Sequence, residues 1–100
     1  MKHLILALVA SCAPAHAEPL CESLGSIAGH VMEARQDGTS QAVQLGRMEM
    51  VAAPHWQPRL QHIVAQAYDV PQRTNDTMRQ LEVFDFANNA EAECLEIWSN

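Results

Sequence analysis

The chain has 100 residues, 48% of them hydrophobic and 18% charged, with 12 acidic against 6 basic side chains and a formal net charge of −6. That length bounds it to one small domain, and the apolar share excludes wholesale disorder. The acidic balance excludes a phosphate-backbone binder, so no nucleic-acid partner is expected.

The first element in chain order is an address. Lys2 opens it, Leu4 to Ala10 form an uninterrupted apolar run, Pro14 breaks the run, and Ala15-His16-Ala17 has the small-x-small pattern of a signal-peptidase site. Residues 1–17 therefore read as a secretory signal peptide of bacterial type. The apolar run is far short of the roughly 20 residues a bilayer requires, so no stable membrane span is expected. Val9-Ala10-Ser11-Cys12 also fits a lipobox, which by lipidating Cys12 would make an outer-membrane lipoprotein, although the apolar run before it is short. Cleavage near Ala17 leaves residues 18–100 as a single helical domain, periplasmic or secreted. That domain has five arginines, no lysine and all 12 acids, a formal charge of −7.

Four amphipathic segments follow. The first runs from Pro19 to about Asp37, with Leu20, Leu24, Ile27, Ala28, Val31 and Met32 at helical spacing, Glu22, Glu33 and Gln36 opposite, and Gly38 placed to end it. Gly25 and Gly29 make a small-xxx-small pair assigned to its outer face. The second runs from a cap at Thr39 or Ser40 to about Ala53, with core packing the expected use of Met48 and Met50. The third runs from Pro58 to Val70, ahead of Pro71, with Leu60, Ile63, Val64, Ala67 and Tyr68 on one face. The fourth opens near Thr74 to Thr77 and runs to about Trp98, with Thr77 and Gln80 as a candidate capping box. Leu81, Val83, Phe84, Phe86, Ala87, Ala90, Cys94, Leu95, Ile97 and Trp98 fill one broad arc of it. No segment alternates with period two, so the expected fold is all-α, a small bundle of three to four helices.

With Cys12 in the signal or carrying lipid, Cys21 and Cys94 remain, and an oxidising compartment joins them. The bond ties the start of the first helix to the end of the last, so the two run antiparallel, with paired residue numbers summing to about 115. Arg35 then falls near Gln80, which predicts an ion pair with Asp76.

No catalytic constellation is present. The serines lack a strained turn, no HExxH spacing exists, and His30, His55 and His62 are dispersed, so no catalytic residue, metal or cofactor is expected. Asn75-Asp76-Thr77 matches a glycosylation sequon, accidental behind a bacterial signal. Arg35 interrupts an apolar face and is read first as reaching water at the rim and second as an interaction residue. Asn88 and Glu91 fall within the apolar arc of the last helix and are candidates to border a groove for a partner. Trp56, in the loop before the third helix, is read first as a plug into the core and second as a contact residue.

Met32-Glu33-Ala34-Arg35-Gln36-Asp37-Gly38, Ala67-Tyr68-Asp69-Val70-Pro71, Phe86, the early Cys21 and the late Cys94 together resemble a group of small exported two-cysteine helical proteins of bacteria and their prophages. The resemblance implies a disulfide-linked periplasmic helical protein with no established activity and no catalytic residue. The expected function is thus a non-catalytic binding module that holds a basic periplasmic protein, in the manner of immunity proteins and inhibitors. The alternative is an envelope acid-stress chaperone, because protonating all 12 acids and three histidines of the exported chain swings its side-chain charge from −7 to about +8. The oligomeric state is left open.

Overall fold

The computed structural model of the chain describes residues 17–99; the expected signal peptide, but for Ala17, and Cys12 lie outside them. Within that range the protein is all-helical: α1 (Ala17–Gln36), α2 (Gln41–Val51), a single 3₁₀ turn (Pro54–Trp56), α3 (Gln57–Tyr68) and α4 (Asp76–Ser99).

Each helix end has a local cause. Gly38, with φ of 94°, is the left-handed residue that stops α1. Its N–H donates to the carbonyl of Arg35, and the N–H of Thr39 donates to that of Ala34. This is the paired closure of a Schellman motif. Ser40 Oγ accepts from the N–H of Val43 and caps α2. Gln57 Nε2 donates to the carbonyls of Met48 and Ala52 and closes the far end of α2. α4 is capped by Asn75, whose Oδ1 accepts from the N–H groups of Thr77 and Met78. The Thr77–Gln80 capping box is therefore corrected: Thr77 lies inside α4, and its N–H already donates to Asn75 Oδ1. The Asn88-Asn89 pair does not interrupt α4.

α1 is the central element. Cys21, Leu24, Ala28, Val31 and Met32 from α1 bury with Leu60, Ile63, Val64 and Ala67 from α3 and Cys94 from α4. Trp56, Tyr68, Met48 and Phe86 close over this core half-buried. The Cys21–Cys94 disulfide, with Cα atoms 5.4 Å apart, joins α1 to α4. The two helices run antiparallel. Gly25 lies against Ala87 and Glu91, Gly29 against Val83 and Ala87, and Asp37 against Arg79.

That register corrects the placement of the two glycines on an outer face. A Cβ on Gly25 would stand 3.1 Å from the Ala87 carbonyl oxygen and from Glu91 Cβ, and one on Gly29 would stand 3.3 Å from Ala87 Cβ. The row of Leu24, Ala28 and Val31 belongs to the shared core. The glycine row, displaced one residue around the helix, lets the α4 backbone approach α1 closely. A helix with neighbours on two sides buries two adjacent rows, and small residues mark the closer contact.

Two further expectations change. Met48 packs as foreseen, but Met50 is 86% exposed. Among the described residues of α4 only Cys94 is fully buried, while Leu81, Phe84, Ile97 and Trp98 are about half or more open to solvent, from 47% to 65%. The broad apolar arc is too wide for one neighbouring helix to cover.

Candidate functional site

The C-terminal end of α1 is densely hydrogen-bonded. Gln36 was assigned to the solvent face, yet it is only 3% exposed. Its Nε2 donates to the Pro71 carbonyl at 3.0 Å, and its Oε1 accepts from the Arg73 N–H at 2.7 Å. Its own carbonyl accepts from Gln72 Nε2 at 3.2 Å and from Arg79 Nη2 at 2.9 Å. One side chain thus mimics a strand edge and holds the extended 71–73 backbone that leads into α4. Beside it, Arg35 Nε donates to the Val70 carbonyl at 3.1 Å while the guanidinium lies 4.9 Å from the Tyr68 ring centroid.

The predicted Arg35–Asp76 ion pair is therefore corrected. Asp76 pairs with Arg79, one turn along its own helix, at 3.6 Å, and Arg79 also reaches Asp37 at 2.5 Å. Arg35 points instead to the end of α3, where an unpaired carbonyl and an aromatic face receive it. The registration of the two helices was right; the cation at the crossing is Arg79, which adds positive charge at the negative C-terminal end of α1.

A buried amide completes this region. Gln44 Nε2 donates to the Val31 carbonyl at 2.9 Å and to Tyr68 Oη at 2.8 Å, and Tyr68 Oη donates in turn to the Thr39 carbonyl. The stretches Met32–Gly38 and Ala67–Pro71 are therefore two halves of one clamp, held by Arg35, Gln36 and Tyr68.

Outside this clamp, between α1 and α4, an open groove of about 600 Å³ is lined by Glu33, Gln36, Asp37, Asp76, Arg79, Gln80, Val83, Phe84 and Ala87. Three carboxylates face one guanidinium in it, and Phe84 is 65% exposed. The groove is thus acidic at its rim and apolar along one wall. A second depression, near Arg59, His62 and Glu93, has only about 10 Å³, space for about a single water.

The residues singled out from sequence are dispersed. Arg35 belongs to the clamp behind the groove. Trp56 is half-buried in the 3₁₀ turn, against the core and 5.6 Å from the His55 ring, the geometry of a plug. Asn88 is exposed and Glu91 half-buried on Gly25, and neither lines the groove. The groove residues Glu33, Asp37, Asp76 and Phe84 were not singled out as contact residues; Asp76 entered only as the expected ion-pair partner of Arg35. The signal for Phe84 was present: Val83, Phe84 and Phe86 cannot all face one neighbour on a helix. The carboxylates gave no such signal, because their proximity depends on the crossing of α1 and α4. Among the described residues no three histidine, cysteine, aspartate or glutamate side chains gather as metal ligands, and no helix is long and apolar enough to cross a membrane. No family model, curated protein or solved structure matches the chain.

Proposed function

We propose that this chain is a small exported, non-catalytic binding protein of the periplasm whose α1–α4 groove holds a basic, partly apolar segment of a partner protein. The observation that carries this reading is the groove itself: Glu33, Asp37 and Asp76 set beside the exposed ring of Phe84. Carboxylates on a net-negative domain attract a basic segment, and an exposed aromatic supplies the apolar anchor that interfaces concentrate their affinity on. The clamp behind the groove and the disulfide at the far end keep both walls rigid, so little ordering cost falls on binding.

The test is isolation of the tagged protein from periplasm at low ionic strength, followed by titration of whatever co-purifies. A stoichiometric basic partner is expected, weakening at least tenfold between ~50 and ~500 mM salt, because most of the attraction is screened. Glu33→Lys and Phe84→Ala should each weaken it further. A partner whose affinity ignores both salt and these substitutions would sink the reading.

A further inference from the structure

The α4 wall of the groove follows the helix period. Asp76, Arg79, Gln80, Val83, Phe84 and Ala87 form one straight stripe along α4, and the facing wall comes from the last turn of α1. The stripe covers three turns, about 17 Å at 1.5 Å per residue. Its character changes along that length. Asp76 and Arg79 lie at one end, beside Asp37, and Val83, Phe84 and Ala87 lie at the other. The register that sets Asp37 against Arg79 and Gly29 against Val83 and Ala87 brings Glu33 level with the stretch from Arg79 to Val83. Arg79 is paired with both Asp37 and Asp76. Among the described residues the Glu33 carboxylate has no hydrogen bond or ion pair. Three carboxylates and one guanidinium leave the groove at −2, and Glu33 is the acid in it that no cation of this chain has taken.

These walls discriminate between conformations of an occupant. Both are helices, so their backbone groups are paired within themselves and the groove offers side chains rather than a strand edge. An extended segment laid along it would cover its own N–H and C=O groups without giving them partners. A helix brings those groups already paired and presents only side chains. We infer that the occupant is an amphipathic α-helix of about three turns on the partner protein, with a Lys or Arg that meets Glu33 and apolar residues one turn along that cover Val83 and the Phe84 ring. This inference rests on the groove being the binding site, and it adds the conformation and the residue pattern of what binds there. Charge complementarity assigns the cation: a segment without one would leave the Glu33 carboxylate covered and unpaired.

A helix in a groove is read through anchors at i, i+3, i+4 and i+7, all on one face. A peptide that binds here should therefore carry apolar residues at those intervals, with its basic residue three or four positions from an apolar one. Proline at its centre should abolish binding, because it removes a helical hydrogen bond and clashes with the preceding turn. Proline at its first helical position should be tolerated, since that N–H has no partner in the helix. An extended occupant would show the other pattern, with alternate residues as anchors and no such dependence on where proline falls.

The probe is a random display library of peptides of about 16 residues, long enough for three helical turns and their ends. It is selected at low ionic strength on the full disulfide-bonded chain and counter-selected on the Glu33→Lys/Phe84→Ala double variant. Both positions are exposed, so circular dichroism of that variant should match the wild type. Enriched sequences are then synthesised, titrated by fluorescence anisotropy and followed by carbon chemical shifts in the bound state. The expected result is a basic peptide that is helical when bound, weakened about tenfold or more by either substitution in the protein and by a central proline in the peptide. A basic peptide that needs Glu33 and Phe84 but binds extended, or accepts a central proline, overturns the helix and leaves the groove as a site for basic segments. A library in which no sequence prefers the wild type over the double variant overturns the helix and the groove together.

Discussion

Gln36 and Gln44 carry no charge, yet they hold three of the four helices in register. Each is nearly inaccessible, at 3% and 2% exposure, and each has its amide N–H groups donating to backbone carbonyls or to Tyr68 Oη. Removing one such partner strands buried groups that lose water and gain nothing. Gln44→Leu is therefore expected to cost about 1–3 kcal/mol, although it adds apolar surface. Tyr68→Phe should cost about 1–2 kcal/mol, since the Thr39 carbonyl loses its donor. Urea denaturation reads both: the midpoint falls while the slope stays constant. A midpoint unchanged within error would mean that water replaces these contacts. The ion pairs of Arg79 with Asp37 and of Arg73 with Glu82 are partly solvated and should contribute about 0–1 kcal/mol each.

At the scale of the helix, glycine has opposite meanings in α1 and α2. Gly46, in the middle of α2, has nothing within 4 Å of the position a Cβ would take. Gly46→Ala should stabilise by about 0.5–1 kcal/mol, removing backbone freedom without a clash, and raise Tm by roughly 2–8 °C. Gly25 stands where a Cβ would meet the Ala87 carbonyl oxygen at 3.1 Å. Gly25→Leu should cost about 1–3 kcal/mol by forcing α4 away from α1. Gly38→Ala should cost about 1–2 kcal/mol, because its left-handed φ is strained for any residue with a Cβ. Calorimetry on the three variants gives the order Gly46→Ala above wild type, then Gly38→Ala and Gly25→Leu below it. A stabilising Gly25→Leu would refute the close α1–α4 contact.

At the scale of the molecule, α4 leaves much of its apolar arc open, and the disulfide holds its far end to α1. Among the described residues of α4 only Cys94 is fully enclosed. The bond closes nearly the whole described chain, with a sequence separation of 73. In the chain-entropy account a loop of that length stabilises by about 4 kcal/mol. For a domain this small that is a large fraction of total stability. Reduction under native conditions should lower the urea midpoint strongly. Hydrogen exchange should then rise first in the second half of α4, while the end tied to Gln36 through Arg79 stays protected longer. Uniform loss of protection would mean that the two ends are held equally.

Helix number, approximate bounds and the antiparallel pairing of first and last helices were legible in the sequence. They depend on period, on breakers such as Gly38, Pro54 and Pro71, and on two cysteines placed at opposite ends of the domain, all of them properties of neighbours along the chain. What the sequence did not disclose is which polar residues are inside. Gln36 and Gln44 look like surface residues until the carbonyls of Pro71 and Val31 are brought to them, and Arg35 has the same reach toward Asp76 as toward Val70 until α3 is in place. The groove and the open part of the α4 arc have the same origin. An apolar arc records how much of a helix can be buried, but how much is buried depends on how many neighbours arrive, and α4 received chiefly α1. Local pattern determined the elements and the pairing; only the packing of helices distant in sequence decided which faces were buried and which were left open.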